Sequence, residues 1–118
     1  MDARRLFGNS GERLAEQFLL KHGMHVLSRQ YRTRFGEIDL IVKDNNEIVF
    51  VEVKTRRGND FGHPEESVTK GKLEKIVRTG EWYLQETHQT SALYRIDVVA
   101  ITYGTGDPEI HHLAGVGG

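Results

Sequence analysis

The chain has 118 residues, of which 37% are hydrophobic and 28% charged, a balance that indicates one globular domain with its own core. It has no cysteine, which excludes disulfides and thiol chemistry, and its net charge of −1 argues against a generic nucleic-acid-binding protein. No apolar run approaches the roughly 20 residues of a membrane span, and residues 1–7 lack the apolar core of a signal peptide, so we expect a cytoplasmic protein with no membrane partner.

A helix and a strand are predicted near the start of the chain. Residues 1–8 show no clear pattern and are expected to form a flexible N-terminal arm. Residues 9–22 carry apolar side chains at helical spacing, with Asn9 as the cap and Glu12 able to reach back from the third helical position. Residues 24–31 follow as the first strand.

Two strands joined by a tight turn are predicted next. Residues 38–43 form the second strand, and the Asp, Asn, Asn and Glu residues at 44–47 suit a turn because they tolerate left-handed backbone angles. Residues 48–54 are apolar on both faces, which is typical of a central strand covered on both sides. Residues 56–64 contain two glycines and no periodicity, so we expect a mobile loop there.

The remaining residues predict a helix, two strands and a glycine-rich tail. The helix extends from Ser67 or Thr69 to Gln85, the strands cover residues 94–101 and 109–113, and the tail covers residues 114–118. The resulting order, α-β-β-β-α-β-β, predicts a single α/β domain over residues 1–118 in which helices flank one mixed five-stranded sheet.

The turn at residues 44–47 determines which residues of the hairpin lie opposite each other. The numbers of opposed residues sum to 91, as 44 and 47 do, so Asp39 should face Glu52. Glu37 should face Lys54 in the same way. Opposed residues on antiparallel strands share a face with Cβ atoms about 4.5–5.5 Å apart, so all four side chains should lie together.

Charged side chains in apolar strands require an explanation, because burying an unpaired charge costs several kcal/mol. Asp39 and Glu52 would repel each other unless a cation lay between them. Mg²⁺ fits such a site, since it takes one or two carboxylates together with water and substrate phosphate. Lys54 could then orient a water nucleophile or neutralise a phosphate. The alternative is a structural network in which Lys54 and Arg95 pair with acids such as Asp97.

Four segments carry a family resemblance: Glu12 on the first helix, Gly-Glu-Ile-Asp-Leu at 36–40, Phe-Val-Glu-Val-Lys at 50–54 and Arg-Ile-Asp-Val-Val at 95–99. Through them nearly the whole chain resembles the YraN-like family of small uncharacterised bacterial proteins. That family is similar to archaeal Holliday junction resolvases within the restriction-endonuclease-like superfamily. The resemblance implies a restriction-endonuclease-like core with the superfamily's PD-(D/E)-x-K motif.

The resemblance also assigns roles to particular residues. Asp39 matches the motif's Asp, and Glu52, Val53 and Lys54 match its (D/E)-x-K. In the superfamily the two acids and the intervening backbone carbonyl bind Mg²⁺ or Mn²⁺, and the lysine assists the attacking water. Glu12 resembles an extra acid that some members bring from the first helix. For Glu12 a helix-capping role is an equally good interpretation.

Other residues are expected to contact nucleic acid or to have structural roles. Glu37 is expected to pair with Lys54, and Arg95 with Asp97. Trp82 is expected to pack or to lie at an interface rather than to stack on bases. The residues expected to contact a nucleic-acid backbone are Arg32, Arg56, Arg57 and Lys72.

These observations lead to two functional hypotheses. The first is a Mg²⁺- or Mn²⁺-dependent endonuclease that hydrolyses DNA phosphodiesters, with branched DNA as the substrate implied by the resemblance. Cleavage of two strands at a junction would require a homodimer. The second is a non-catalytic nucleic-acid-binding or adaptor module that keeps the nuclease fold, which a net charge near zero favours. The sequence leaves the form of the nucleic acid open: duplex, junction, single strand or RNA.

Overall fold

The structure is a computed structural model that describes residues 3–58 and 68–117, with side chains from residue 10 onward. Within these residues the elements follow the predicted order α-β-β-β-α-β-β. They are α1 (Ala3–Lys21), β1 (His25–Thr33), β2 (Gly36–Asp44), β3 (Glu47–Arg57), α2 (Lys70–Glu86), β4 (Leu93–Tyr103) and β5 (Glu109–Leu113).

The five strands form one mixed sheet in the order β1-β2-β3-β4-β5. β1, β2 and β3 are antiparallel, β3 and β4 are parallel, and β5 returns antiparallel to β4. The parallel pair requires a crossover connection, and α2 lies on the chain between its two strands. The predicted mixed sheet with flanking helices is therefore confirmed, and β3 is its central strand.

One helix covers each face of the sheet. Ala15 and Leu19 of α1 are fully buried against one face, and Ile76 and Leu84 of α2 are buried against the other. Because side chains alternate along a strand, β3 contributes to both cores. The alternating buried side chains of β3 are Ile48, Val49, Phe50 and Val51.

The helix boundaries agree with the sequence for α2 and differ for α1. Thr69 caps α2, and its side chain accepts a hydrogen bond from the N–H of Lys72 at 3.2 Å. By contrast α1 begins at Ala3, so the expected arm is wrong for residues 3–8, while residues 1–2 lie outside the described residues. The Ala, Arg, Arg and Leu residues at positions 3–6 are good helix formers and carry the helix through Gly8. Asn9 therefore lies inside the helix and is not its cap.

The strands are longer than their local patterns suggest. β3 continues through Arg56 and Arg57, which pair with Thr102 and Tyr103 of β4. Tertiary pairing thus extends the strand into the region expected to be a loop, of which residues 59–64 lie outside the described residues. Within the described part of the chain, no helix is long and apolar enough to cross a membrane.

Candidate functional site

The hairpin of β2 and β3 opens at its far end. Its hydrogen-bonded ladder follows the predicted register from the turn as far as Leu40 and stops there. The expectation that Asp39 and Glu37 lie directly opposite Glu52 and Lys54 is therefore wrong, although the register itself is confirmed. The site must be described from the contacts at this opening rather than from a regular ladder.

A backbone irregularity at Asp39 explains why the ladder stops. Leu40 packs in the core under α1, whereas Ile38, two residues earlier, packs in the core under α2. Residues two apart in a regular strand share a face, so the side-chain alternation shifts by one residue at Asp39. On the neighbouring strand, Gln30 lies between the partners of these two residues and has a left-handed φ of 48°. The backbone irregularity therefore involves both strands at this position.

The Asp39 carboxylate replaces a backbone hydrogen-bond acceptor beyond the point where the β2–β3 ladder ends. Its Oδ2 accepts a hydrogen bond from the backbone N–H of Val53 at 2.8 Å, where a regular hairpin would have a backbone acceptor. Burial and the nearby negative charge of Glu52 raise the pKa of Asp39 to about 7, and the Val53 N–H only partly opposes them. The charges of Glu12 and Glu37 raise this pKa further. Three neighbouring acids thus act on Asp39 at the opening of the sheet.

Two lysines lie beside the acids on the α2 side. Lys72 Nζ is 3.2 Å from Glu52 Oε1, and the Glu52 side chain is only 14% exposed. A hydrogen bond from Lys72, together with burial and the charge of that ammonium, lowers the pKa of Lys54. The pKa of Lys72 is instead raised, because the contacts with Lys54 and Glu52 outweigh its burial. Of the two amines, Lys54 is therefore the one that loses its proton more readily.

Glu12 reaches the site from α1. Gly11 permits this position, because a Cβ at Gly11 would collide with the Thr55 side chain of β3. Glu12 Oε2 accepts a hydrogen bond from Gln30 Nε2 at 3.0 Å, and both residues line a cleft of about 360 Å³. Since α1 begins at Ala3, Glu12 is not in its first turn, and the capping interpretation is wrong. The roles of Gly11 and Gln30 were not predicted from the sequence, although a glycine inside a helix is itself a signal of close packing.

The basic residues expected to contact nucleic acid occupy different surroundings. Lys72 lies at the acids, whereas Arg56 and Arg57 form the end of β3. Arg32 Nε is 3.4 Å from Glu37 Oε1 across the β1–β2 ladder. The pairing expected between Glu37 and Lys54 is therefore wrong, and cross-strand pairing with β1 supplies the partner of Glu37. A nucleic-acid role for the four basic residues stays a prediction.

A second charged cluster surrounds Arg95 on β4. Its guanidinium contacts Asp44 at 2.9 Å, Glu47 at 2.8 Å and the fully buried Asp97 at 2.9 Å. Burial alone would raise the pKa of Asp97, but hydrogen bonds from His112 and Arg95 hold it below its usual value. The expected link between Arg95 and Asp97 is confirmed. This cluster is a satisfied ion network that does not draw on Asp39 or on the two site lysines.

The chemistry of the donors at the opening fits a hard divalent cation. Among the side chains that the structure describes, in residues 10–58 and 68–117, no group of three or more His, Asp or Glu residues is placed so that it could hold a metal ion. Mg²⁺ needs fewer protein ligands, because it is commonly held by one or two carboxylates together with water and phosphate. Asp39 and Glu52 supply two carboxylates, and a strand residue directs its N–H and C=O to the same side, so the Val53 carbonyl also faces β2. Burial and the charge of Glu52 together raise the pKa of Asp39, an environment that a bound cation would relieve.

Comparison with known proteins identifies a family model that covers the site. The family model described as "Uncharacterised protein family UPF0102" matches residues 11–101, a range that contains Glu12, Asp39, Glu52, Lys54 and Lys72. The chain is 46% identical over 101 residues to a UPF0102 protein of Desulfosudis oleivorans, covering 86% of this chain and 82% of that protein. It is 40% identical over 117 residues to a UPF0102 protein of Paenarthrobacter aurescens, covering 98% and 97% respectively.

Proposed function

We propose that this chain, which belongs to the uncharacterised protein family UPF0102, is a metal-dependent endonuclease that hydrolyses phosphodiester bonds in DNA. The observation that supports the proposal most strongly is the raised pKa of Asp39, which burial and Glu52 bring to about 7. Strongly perturbed titratable groups are concentrated at functional sites, because burial and like charges there shift pKa values to suit catalysis or metal binding. The resemblance to resolvase-like nucleases suggests phosphodiester hydrolysis, a reaction for which those enzymes use such a pair of acids to bind a metal ion.

The acids would hold the metal ion. Asp39 Oδ1, a Glu52 carboxylate oxygen and the Val53 carbonyl are the ligands that the chain offers, and Glu12 is the nearest further acid. When bound, Mg²⁺ or Mn²⁺ would supply positive charge for the scissile phosphate and lower the pKa of a coordinated water. The hydrogen bond from the Val53 N–H to Asp39 Oδ2 fixes the orientation of that carboxylate, so its other oxygen stays available.

The lysines would act on the phosphate and on the attacking water. Lys54 has a lowered pKa, so its amine can accept and return a proton more readily than an ordinary lysine. Lys72 keeps its proton, and from its contact with Glu52 its ammonium can stabilise negative charge on the phosphate oxygens. Lys54 would therefore transfer the proton, and Lys72 would stabilise the negative charge.

A strand-cleavage assay tests the proposal. Linear duplex, flapped DNA and a four-way junction are incubated with purified protein in Mg²⁺, in Mn²⁺ and in EDTA. The variants are Asp39→Asn and Lys54→Met. Their matched controls are Asp107→Asn and Lys43→Met, which change an exposed acid and an exposed lysine elsewhere on the chain.

The expected result is metal-dependent cleavage that both site variants lose by about 100-fold or more and that both controls keep. We expect the flap or the junction to be cut in preference to the linear duplex, and junction cleavage to depend on a dimer. Metal-independent cleavage, or equal cleavage by wild type and Asp39→Asn, would contradict the proposal. Binding of the same DNA with no cleavage in any metal would support the non-catalytic module, which the net charge of −1 favours.

A further inference from the structure

A pocket of about 420 Å³ lies between the turn that joins β1 to β2 and the C-terminal end of α2. Residues 31–35 form one side, and Trp82 and Glu86 of α2 form the other. Trp82 is the chain's only tryptophan, and 42% of its surface is exposed. Its ring meets Phe35 at a centroid distance of 5.9 Å and an angle of 60°, so the contact is edge-like and leaves ring surface uncovered. The contact with Phe35 agrees with the packing or interface role expected of Trp82, and the exposed part of the ring leaves surface for a further contact.

Two arginines hold their guanidinium groups beside these rings. Arg34 lies over the Phe35 ring at 5.0 Å from its centroid, and Arg78 lies at 6.0 Å. An arginine held against an aromatic ring keeps its planar fork of N–H donors ordered, which suits bidentate contact with phosphate. Aromatic surface with ordered cations at its rim is the combination that binds single-stranded nucleic acid, because bases stack while phosphates are neutralised.

The pocket also lies in line with the acid site. Lys72 contacts Glu52, and Lys75, Arg78 and Trp82 follow it along α2, with Trp82 about 15 Å from Lys72 at 1.5 Å per residue. That distance corresponds to about four stacked nucleotides at ~3.4 Å each. The start of β2 lies against the same stretch of α2, because a Cβ at Gly36 would be 3.7 Å from Lys75 Cβ. A strand that leaves the acid site can therefore follow this basic side of α2 to the pocket.

We propose that the pocket binds an unpaired base of a DNA strand, stacked on Trp82, while Arg34 and Arg78 contact the adjoining phosphates. The volume lies within the range of about 300–1,000 Å³ found for small-ligand sites, which suits one base rather than a duplex. Glu86, which accepts a hydrogen bond from the Tyr31 hydroxyl at 2.9 Å, offers a carboxylate acceptor for the amino group of a base. The inference rests on the proposed function for its link to cleavage, and it provides a reason for the expected preference for flapped DNA, which carries unpaired bases.

The single tryptophan gives a direct assay that needs no catalysis. The intrinsic fluorescence of the full chain is titrated in EDTA with a single-stranded oligonucleotide, a blunt duplex of the same sequence and a free mononucleotide. We expect saturable quenching by the single strand, little quenching by the duplex, and at least tenfold weaker binding of the mononucleotide, which lacks the neighbouring phosphates. Because the metal site is not used, quenching without any cleavage would leave this inference standing and overturn only the nuclease.

Variants separate base stacking from general attraction between charges. Binding of a dye-labelled single strand, followed by anisotropy, should weaken by about 5- to 100-fold in Trp82→Leu, and Trp82→Phe should recover most of the loss. Arg34→Gln should weaken binding and reduce its salt dependence, whereas Lys43→Gln, at the other end of β2, should leave both unchanged. Thermal melting confirms that each variant is folded.

Three outcomes would overturn the inference. One is single-strand binding that is equally tight in wild type and Trp82→Leu. Another is quenching by the mononucleotide at the same concentration as by the strand, which would assign the pocket to a free nucleotide. The third is Trp82 emission that changes with protein concentration alone, which would assign the surface to a second copy of the chain. In each case Asp39-dependent cleavage can still be measured separately.

Discussion

The acid cluster predicts that replacing Asp39 with asparagine stabilises the metal-free protein. Each unit of pKa shift corresponds to about 1.36 kcal/mol, so the rise from 3.8 to about 7 converts to a cost of about 4 kcal/mol when Asp39 is ionised. Solvent screening and rearrangement of Glu52 and Lys72 should reduce this to about 2 kcal/mol. Asparagine keeps the shape and can still accept the Val53 N–H, so the substitution removes mainly the charge.

The pKa shift of Asp39 also predicts how the stability difference between wild type and Asp39→Asn depends on pH. The pKa of Asp39 is higher in the folded state, so proton binding stabilises the fold; this stabilisation is complete below about pH 4 and is lost as the pH rises through about 7. Urea unfolding in EDTA should therefore show Asp39→Asn about 2 kcal/mol more stable than wild type at pH 8 and nearly equal to it at pH 4.5. Added Mg²⁺ should stabilise the wild type by mass action and leave Asp39→Asn unchanged.

Asp107→Asn is the matched control, because Asp107 is exposed and the same change of charge there should alter stability only slightly at either pH. A stability difference between wild type and Asp39→Asn that does not change between pH 4.5 and pH 8 would refute the reasoning. So would a destabilised Asp39→Asn at pH 8, since it would make Asp39 a stabilising member of a structural network.

Two further predictions concern the stability of the fold away from the acid site. Arg95→Met should destabilise the fold by about 3–5 kcal/mol, because it leaves the fully buried Asp97 without its main cation, and urea unfolding at pH 7 measures the loss. Gly80→Ala should cost about 2 kcal/mol, because its Cβ would lie 2.5–2.9 Å from three ring atoms of Phe50. Gly71→Ala on the same helix, where a Cβ meets open space, should instead be neutral or stabilising by up to about 1 kcal/mol in thermal melts.

The sequence predicts the fold well because the local signals and the tertiary structure agree. The strand at residues 48–54 is apolar on both faces, and the structure makes it the centre of a sheet that is covered on both sides. The turn at residues 44–47 sets the register, which holds from the turn to Leu40. The salt link between Arg95 and Asp97 follows from two charges that alternate onto one face of a buried strand.

The arrangement of the site is less predictable because it depends on an irregularity. The rule that opposed residues share a face places Asp39 and Glu52 together only if β2 stays regular, and β2 shifts by one residue at Asp39. No pattern in the hairpin signals that shift, since it involves the left-handed φ of Gln30 on a different strand. The early start of α1 is missed for a related reason, because local breakers at residues 8–9 are outweighed by the rest of the helix.

The two charged clusters of the chain provide an internal comparison that bears on function. Around Arg95 one cation meets three carboxylates, and its hydrogen bonds, with that of His112, lower the pKa of the buried Asp97. Around Asp39, burial and the negative charge of Glu52 raise the pKa of the carboxyl, even though Lys72 forms an ion pair with Glu52.

The same fold is therefore able to stabilise the charge of a fully buried carboxylate, whereas Asp39, at the opening of the same sheet, has a backbone hydrogen bond and still a raised pKa. A structural role would be served better by the first arrangement, because an uncompensated carboxylate costs stability and contributes nothing to packing. The cost is explained if the missing positive charge comes from outside the chain, on a metal ion whose binding the acids favour. This contrast is why Asp39→Asn and Arg95→Met should change stability in opposite directions, and why a result of the same sign for both would favour a structural network.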